Sequence, residues 1–314
     1  MALAFVFPGQ GSQFIGMGKD LSETYAQARE TFQEIDDALS QNLSAMMFDG
    51  DETDLNMTEN TQPALMAVSM AVTNILKKQG NIEIKDNCSF VAGHSLGEYS
   101  ALTAADVISL TDCAKLLKLR GQSMQKAVPV GIGSMAAILG LDFDEVAKIA
   151  SQAAENEICA AANDNSVGQV VVSGHKAAVE RAVALASEHG ARKAVILPVS
   201  APFHCDLMAP AAEAMAAALE KTNFNAPSAP VVTNVTASVE TDPDTLKDLL
   251  VKQITGTVRW RESVIYMRDN GVTEMAEIGA GKVLSGLARR IDRSIACESV
   301  GTPEQIEKLI ERLK

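Results

Sequence analysis

The 314-residue chain is poor in aromatic side chains, 4% of the total, and in positive charge, with 27 Lys and Arg against 40 Asp and Glu and a net charge of −13. Both shortages argue against a protein that holds nucleic acid by neutralising phosphates and stacking on bases. Its 5 cysteines, Cys88, Cys113, Cys159, Cys205 and Cys297, are odd in number and scattered, with no C-x-x-C pair. Neither a disulfide framework nor a zinc site is therefore expected. Long apolar runs are missing as well: the richest stretch, Leu207 to Leu219, is broken by Pro210 and Glu213, so no membrane span is expected. The opening Met1 to Phe7 has no basic leader and too short an apolar segment for a secretory signal, and reads as a first strand of a cytoplasmic protein. Internal repeats and low-complexity linkers are also lacking.

What is present is an ordinary core-forming composition, 47% hydrophobic, arranged as strands separated by helices. That alternation favours an α/β class with a mostly parallel sheet. Leu3–Phe7 reads as a strand ending in the tight turn Pro8-Gly9-Gln10-Gly11-Ser12-Gln13. Helices are expected over about Asp20–Ala38, over Ala64–Lys77 with Thr61 as cap and Pro63 in the first turn, and over Thr111–Lys126. From about Val128 to Val199 the order becomes strand, helix, strand, strand, helix, strand, the ferredoxin-like βαββαβ arrangement. The six residues Asn163 to Gly168 read as its hairpin link. The expected organisation is thus an α/β-hydrolase-like core, residues 1–127 and 200–314, with a ferredoxin-like subdomain, residues 128–199, inserted into it. An active cleft would lie between the two bodies.

Gly93-His94-Ser95-Leu96-Gly97 carries the most chemistry. It follows the apolar run Cys88 to Ala92 and precedes a helix start at Glu98. A serine at such a strand-to-helix corner is held clear of the sheet beside helix N-terminal amides, which suits attack on an acyl carbonyl and stabilisation of the resulting oxyanion. Its hydroxyl needs a base, and only 4 histidines exist. His175 and His189 fall at the ends of a subdomain helix, and His94 would point away from the nucleophile if the elbow forms. His204, in the Pro-constrained loop Ser200-Ala201-Pro202-Phe203-His204, is the favoured base. No carboxylate stands out as its partner; Asp164, Asp206 or a backbone carbonyl could each orient the imidazole. Two glycine patterns mislead. Gly131 to Ala136 follows a helix rather than a strand, the reverse of a dinucleotide fingerprint, and Gly279 to Val283 lacks the spacing of a phosphate loop.

With these residues in view the chain resembles the malonyl-CoA:acyl carrier protein transacylases, the acyltransferases of bacterial fatty acid synthesis. The resemblance rests on Phe7 to Gln13, Thr61-Gln62-Pro63-Ala64, Gly93 to Tyr99, Gln169 to Gly174, His204 in its loop, and Gln253 ahead of Val258-Arg259-Trp260. It covers nearly the whole length. It implies malonyl-CoA and acyl carrier protein as partners, no cofactor, Ser95 as nucleophile and His204 as base. It further implies an oxyanion hole from the main-chain N–H groups of Gln10 and Leu96, and a Gln253 carbonyl that orients the histidine. Arg120 matches the residue that holds the malonyl carboxylate. A guanidinium fork suits that task, since an acyl group without a carboxylate would leave the buried charge unmatched. Phe203 resembles the residue found where malonyl rather than a branched unit is taken. No duty is assigned to Asn163–Ser166. Because carrier protein is acidic, basic residues are expected around the cleft mouth, drawn from Lys115, Lys118, Arg120, Lys126, Arg259, Arg261, Arg268, Arg289 and Arg290. Serine, histidine and oxyanion hole alone would equally serve a thioesterase, and the bare fold would serve a non-catalytic docking subunit; Arg120 separates the transferase from the first, and the intact pair Ser95 and His204 from the second.

Overall fold

The computed structural model describes residues 2–314. Strands β1 (Ala2–Phe7) and β2 (Phe90–Gly93) lie parallel and adjacent, with Phe7 opposite Gly93. The chain then leaves this sheet to build β3 (Gly133–Leu139), β4 (Cys159–Ser166), β5 (Gln169–His175) and β6 (Lys193–Ile196). It returns as β7 (Val231–Val232), β8 (Val239–Glu240), β9 (Val272–Ile278) and β10 (Ala296–Val300). The core sheet runs β10-β9-β1-β2-β7-β8, and every pairing in it is parallel except β7 with β8. Its central strand is apolar throughout because both faces are covered: Leu3, Phe5 and Phe7 pack into one cluster, and Ala4 and Val6 into another with Trp260 and Met267.

The second sheet is antiparallel, ordered β4-β5-β3-β6. Alternation along its strands sorts the two faces. Ala136, Ile138, Val170 and Val172 face the helices Phe143–Ala154 and Lys176–Glu188 through Val146, Ile149, Val179 and Ala182. Met135, Ala162 and Val171 point the other way and join the main core. A short bridge between Asn163 and Val258 ties β4 to the chain just beyond Gln253.

Several sequence expectations need correction. The stretch Asp20–Ala38 is two helices, Lys19–Thr24 and Ala26–Leu39, separated by Tyr25 in extended conformation. The Tyr25 ring at the break is buried. Thr61 is not a cap: the helix spans Thr58–Gly80 from an N-cap at Met57, and Pro63 lies in its second turn. Thr61 instead donates its hydroxyl to the Leu55 carbonyl at 2.6 Å. This helix touches the helix Leu110–Ala127 at Gly121, where a Cβ would sit 2.5 Å from the Glu59 Cα. That close approach sets Gln62 beside Arg120. The link within the small sheet is only Val167-Gly168, because Asn163 to Ser166 belong to β4, whose pairing with β5 shifts register twice. The Gly279–Gly281 segment is a structural turn, and the helix start behind it is taken by the Glu277 carboxylate, which accepts from the Leu284 and Ser285 amides.

Two glycines carry the strand-to-helix corner. A Cβ on Gly93 would lie 1.9 Å from the Gly97 carbonyl carbon, and one on Gly97 would lie 2.2 Å from the Phe7 carbonyl oxygen. Gly97→Ala should therefore cost at least about 2 kcal/mol in a urea melt, since backbone must move. Gly286→Ala, on a helix with nothing within 4 Å of the added carbon, should instead raise stability by up to about 1 kcal/mol.

Candidate active site

The carboxyl ends of β1, β2 and β7 open at one edge of the core sheet, the position where parallel sheets place ligands. Three turns meet there: Pro8 to Gln10 after β1, His94 and Ser95 after β2, and Thr233 and Asn234 after β7. Ser95 has φ 53° and ψ −111°, an unfavourable conformation for a residue with a side chain. Asn234, fully buried, holds it in place. Its Oδ1 accepts from the Ser95 N–H at 2.7 Å, and its Nδ2 donates to the Gly93 carbonyl at 2.7 Å. One side chain thus spans the turn from both sides.

Ser95 Oγ lies 2.8 Å from His204 Nε2, and His204 Nδ1 lies 2.8 Å from the main-chain oxygen of Gln253. The Gln253 oxygen can only accept, so Nδ1 carries the proton and Nε2 is free to receive one from the serine. Neither carboxylate weighed as an orienter is involved. Asp164 is buried against Arg261, and Asp206 is exposed. His204 adopts φ 59° in the loop that follows Pro202, and its side chain is buried.

Arg120 is 1% exposed and faces the same hydroxyl: its Nη2 lies 3.1 Å from Ser95 Oγ. Nη1 donates to Gln62 Oε1 at 2.8 Å, and Nη2 to Gln253 Oε1 at 2.9 Å. The Tyr99 ring lies 5.7 Å from the guanidinium carbon. Gln253 is a junction, since its Nε2 also donates to Glu98 Oε2 at 2.8 Å and to the Ser95 carbonyl at 3.0 Å. Burial pushes the Glu98 carboxyl up to about 7, against the opposing pull of the bonds from Gln253 and the Asn234 amide and of the Arg120 charge. Burial, together with the nearby Arg120 charge, also takes the His204 imidazole down to about 3. The resting imidazole is therefore neutral.

Among the described residues no protein acceptor takes the amides of Gln10 or Leu96, and both residues line the cavity in front of Ser95. That cavity is walled by both sheets: Arg120, Phe203 and His204 from the core, Met135, Asn163, Asn165, Val171 and Leu197 from the small sheet and the chain after it. His94 does not turn away, contrary to expectation. It lines the cavity, with Nε2 2.8 Å from Asn165 Oδ1. Asn163 and Asn165 reach the wall because the register shifts in β4 redirect its side chains. Of the basic residues considered for the cleft mouth, none besides Arg120 lines this cavity. Arg259, Arg261 and Arg268 are paired with Glu262, Asp164 and Asp292, and Arg290 donates to Gln169. Sequence reasoning missed Asn234, Glu98 and the role of Gln62. A glutamate at the start of a buried helix, Glu98, was the one visible signal.

Comparison with known proteins supplies a separate line. The model of a family described as acyl transferase domain matches residues 4–313. A malonyl CoA-acyl carrier protein transacylase of Escherichia coli (strain K12) is 46% identical over 308 residues, 98% of each chain. The crystal structure of an acyl-carrier-protein-S-malonyltransferase from Bartonella henselae superposes with a TM-score of 0.97 at 54% identity, covering 100% of this chain and 99% of that one. A malonyl-transacylase in complex with its type II PKS acyl-carrier protein gives a TM-score of 0.96 at 41% identity, covering 99% and 100%.

The depressed basicity of His204 is measurable. At about pH 5, where an ordinary histidine is largely protonated, its ring nitrogens should show the NMR shifts of a neutral imidazole. Arg120→Met should raise its pKa, because a neighbouring positive charge is removed. An unchanged titration in that variant would contradict the electrostatic account.

Proposed function

The chain belongs to the acyl transferase domain family, and from that premise we propose that Ser95, His204 and Gln253 carry its catalysis, with Arg120, Gln10 and Leu96 binding the acyl group. The reaction moves malonyl from malonyl-CoA to the phosphopantetheine thiol of acyl carrier protein, supplying extender units for fatty acid synthesis. Ser95 Oγ attacks the thioester carbonyl as His204 Nε2 takes its proton. The carbonyl oxygen becomes an oxyanion between the unpaired amides of Gln10 and Leu96. Collapse expels the coenzyme A thiolate, which regains a proton from His204, and leaves malonyl esterified to Ser95. The carrier thiol then gives its proton to His204 and attacks the ester, and the departing Ser95 oxygen takes that proton back, restoring the serine and the neutral imidazole.

The observation that carries this reading is the convergence of serine, neutral histidine and buried arginine within hydrogen-bond distance. Arg120 opposes formation of the His204 imidazolium, and a malonyl carboxylate paired with it cancels that opposition. The substrate's own charge thereby restores basicity where the proton must go, and an uncharged acyl group cannot do so.

We also read the core as α/β-hydrolase-like, comprising residues up to 127 and from 200, and the unit 128–199 as ferredoxin-like. The order β4-β5-β3-β6 with both helices on one face supports the second. Five free cysteines favour a reducing compartment and hence the cytoplasm. No described helix is long and apolar enough to cross a membrane.

Mixing the protein with malonyl-CoA alone should add one malonyl group to Ser95, detectable by mass spectrometry of the peptide. Absence of the adduct would refute the covalent step on Ser95, and rapid release of free malonate without carrier protein would argue for water as the second substrate. Arg120→Ala should lower kcat/KM for malonyl-CoA at least about 30-fold more than for acetyl-CoA, the scale of one unmatched charge-assisted pair.

A further inference from the structure

The Thr61-Gln62-Pro63-Ala64 stretch has no part in the scheme above, yet it places a buried amide directly on Arg120. The acceptors around the guanidinium are Gln62 Oε1, Gln253 Oε1 and Ser95 Oγ, all neutral. A guanidinium ordinarily recruits a carboxylate when it is buried. Glu98, whose acidity burial weakens, is the carboxylate held nearby, and Gln253 stands between them, donating Nε2 to Glu98 and presenting Oε1 to Arg120. The Nε–H of Arg120 has no partner among the described residues.

We infer that Gln62 and the side chain of Gln253 are specificity-determining residues: they position Arg120 without neutralising it, so that the carboxylate it pairs with must come from the acyl group. The inference rests on the assignment of Arg120 to the malonyl carboxylate and adds what keeps that assignment effective. A carboxylate at either glutamine position would satisfy the guanidinium permanently. It would repel the malonate charge and, by the same pairing, relieve His204 for uncharged acyl groups. Amides of the same shape keep the geometry and leave the charge unspent. Gln62 is well suited to the role, because its only other side-chain bond among the described residues is a weak one to Met124 Sδ at 3.7 Å.

The test compares kcat/KM for malonyl-CoA and for acetyl-CoA, with holo acyl carrier protein as acceptor, in the native protein, Gln62→Glu, Gln62→Met and Arg120→Met. Gln62→Glu should reduce the malonyl-to-acetyl ratio by about tenfold or more, as expected when a carboxylate site is filled internally. Gln62→Met, which removes the acceptor but adds no charge, should reduce it by a clearly smaller factor. A smaller effect of Gln62→Glu, or an equal effect of Gln62→Met, overturns the inference. If Gln62→Glu does not fold, the double variant E98Q/Q253E applies the same criterion, since it moves the buried carboxylate onto Arg120 at constant net charge and leaves the Gln253 main-chain carbonyl in place. Arg120→Met separates the two levels. A ratio unchanged there refutes the carboxylate role of Arg120 itself, whereas a collapsed ratio there with an intact one in Gln62→Glu refutes only the requirement for neutral neighbours.

Discussion

Between β2 and the helix that follows, the chain turns through a single residue, Ser95, whose backbone occupies a region that side chains avoid. The turn closes because Gly93 and Gly97 lack Cβ atoms at contacts that would otherwise be 1.9 and 2.2 Å. It stays closed because Asn234 bonds both the amide of Ser95 and the carbonyl of Gly93. A cost of the order of 1–3 kcal/mol for such a conformation is tolerable only where surrounding contacts over-determine it. The strain aims the hydroxyl at His204 and sets the Leu96 amide, the first of the helix, facing the same space. Loosening any of the three would misdirect the Ser95 hydroxyl and the Leu96 amide together.

Charge is organised around that corner by one residue with two functions. The Gln253 main chain orients His204, while its side chain spaces Glu98 from Arg120. The bridge from Asn163 to Val258 anchors the segment just after it to the small sheet, so the same stretch of chain joins the two sheets and the site. A buried arginine, a weakened buried acid and a neutral imidazole coexist because amides rather than ions separate them. In so dry a setting each Coulomb interaction is stronger than at the surface, and the separation by one amide carries correspondingly more weight.

Much of this was legible in the residues. The parallel sheet followed from apolar strands between helices, and the elbow from two glycines around a serine. His204 was favoured by elimination among 4 histidines. The errors came where local patterning was overruled by packing. Thr61 has the look of a cap, but the helix begins earlier, at Thr58, and the Thr61 hydroxyl finds the Leu55 carbonyl instead. Asn163 to Ser166 read as a loop because asparagine and aspartate favour turns, yet they form a strand irregular enough to turn Asn163 and Asn165 toward the cavity.

By itself the sequence determined the periodicities, the strained corner and the stock of ionisable groups, because those depend on residue type and short-range spacing. Only the tertiary structure decided that Arg120 is buried and, among the described residues, paired with no carboxylate, that a backbone oxygen rather than Asp164 or Asp206 meets His204, and that Asn234 braces Ser95 from 139 positions away. Pairings of that kind join residues on different strands and helices. Their energies are set by desolvation and by which partner comes within about 3 Å, quantities that exist only once the sheets have packed.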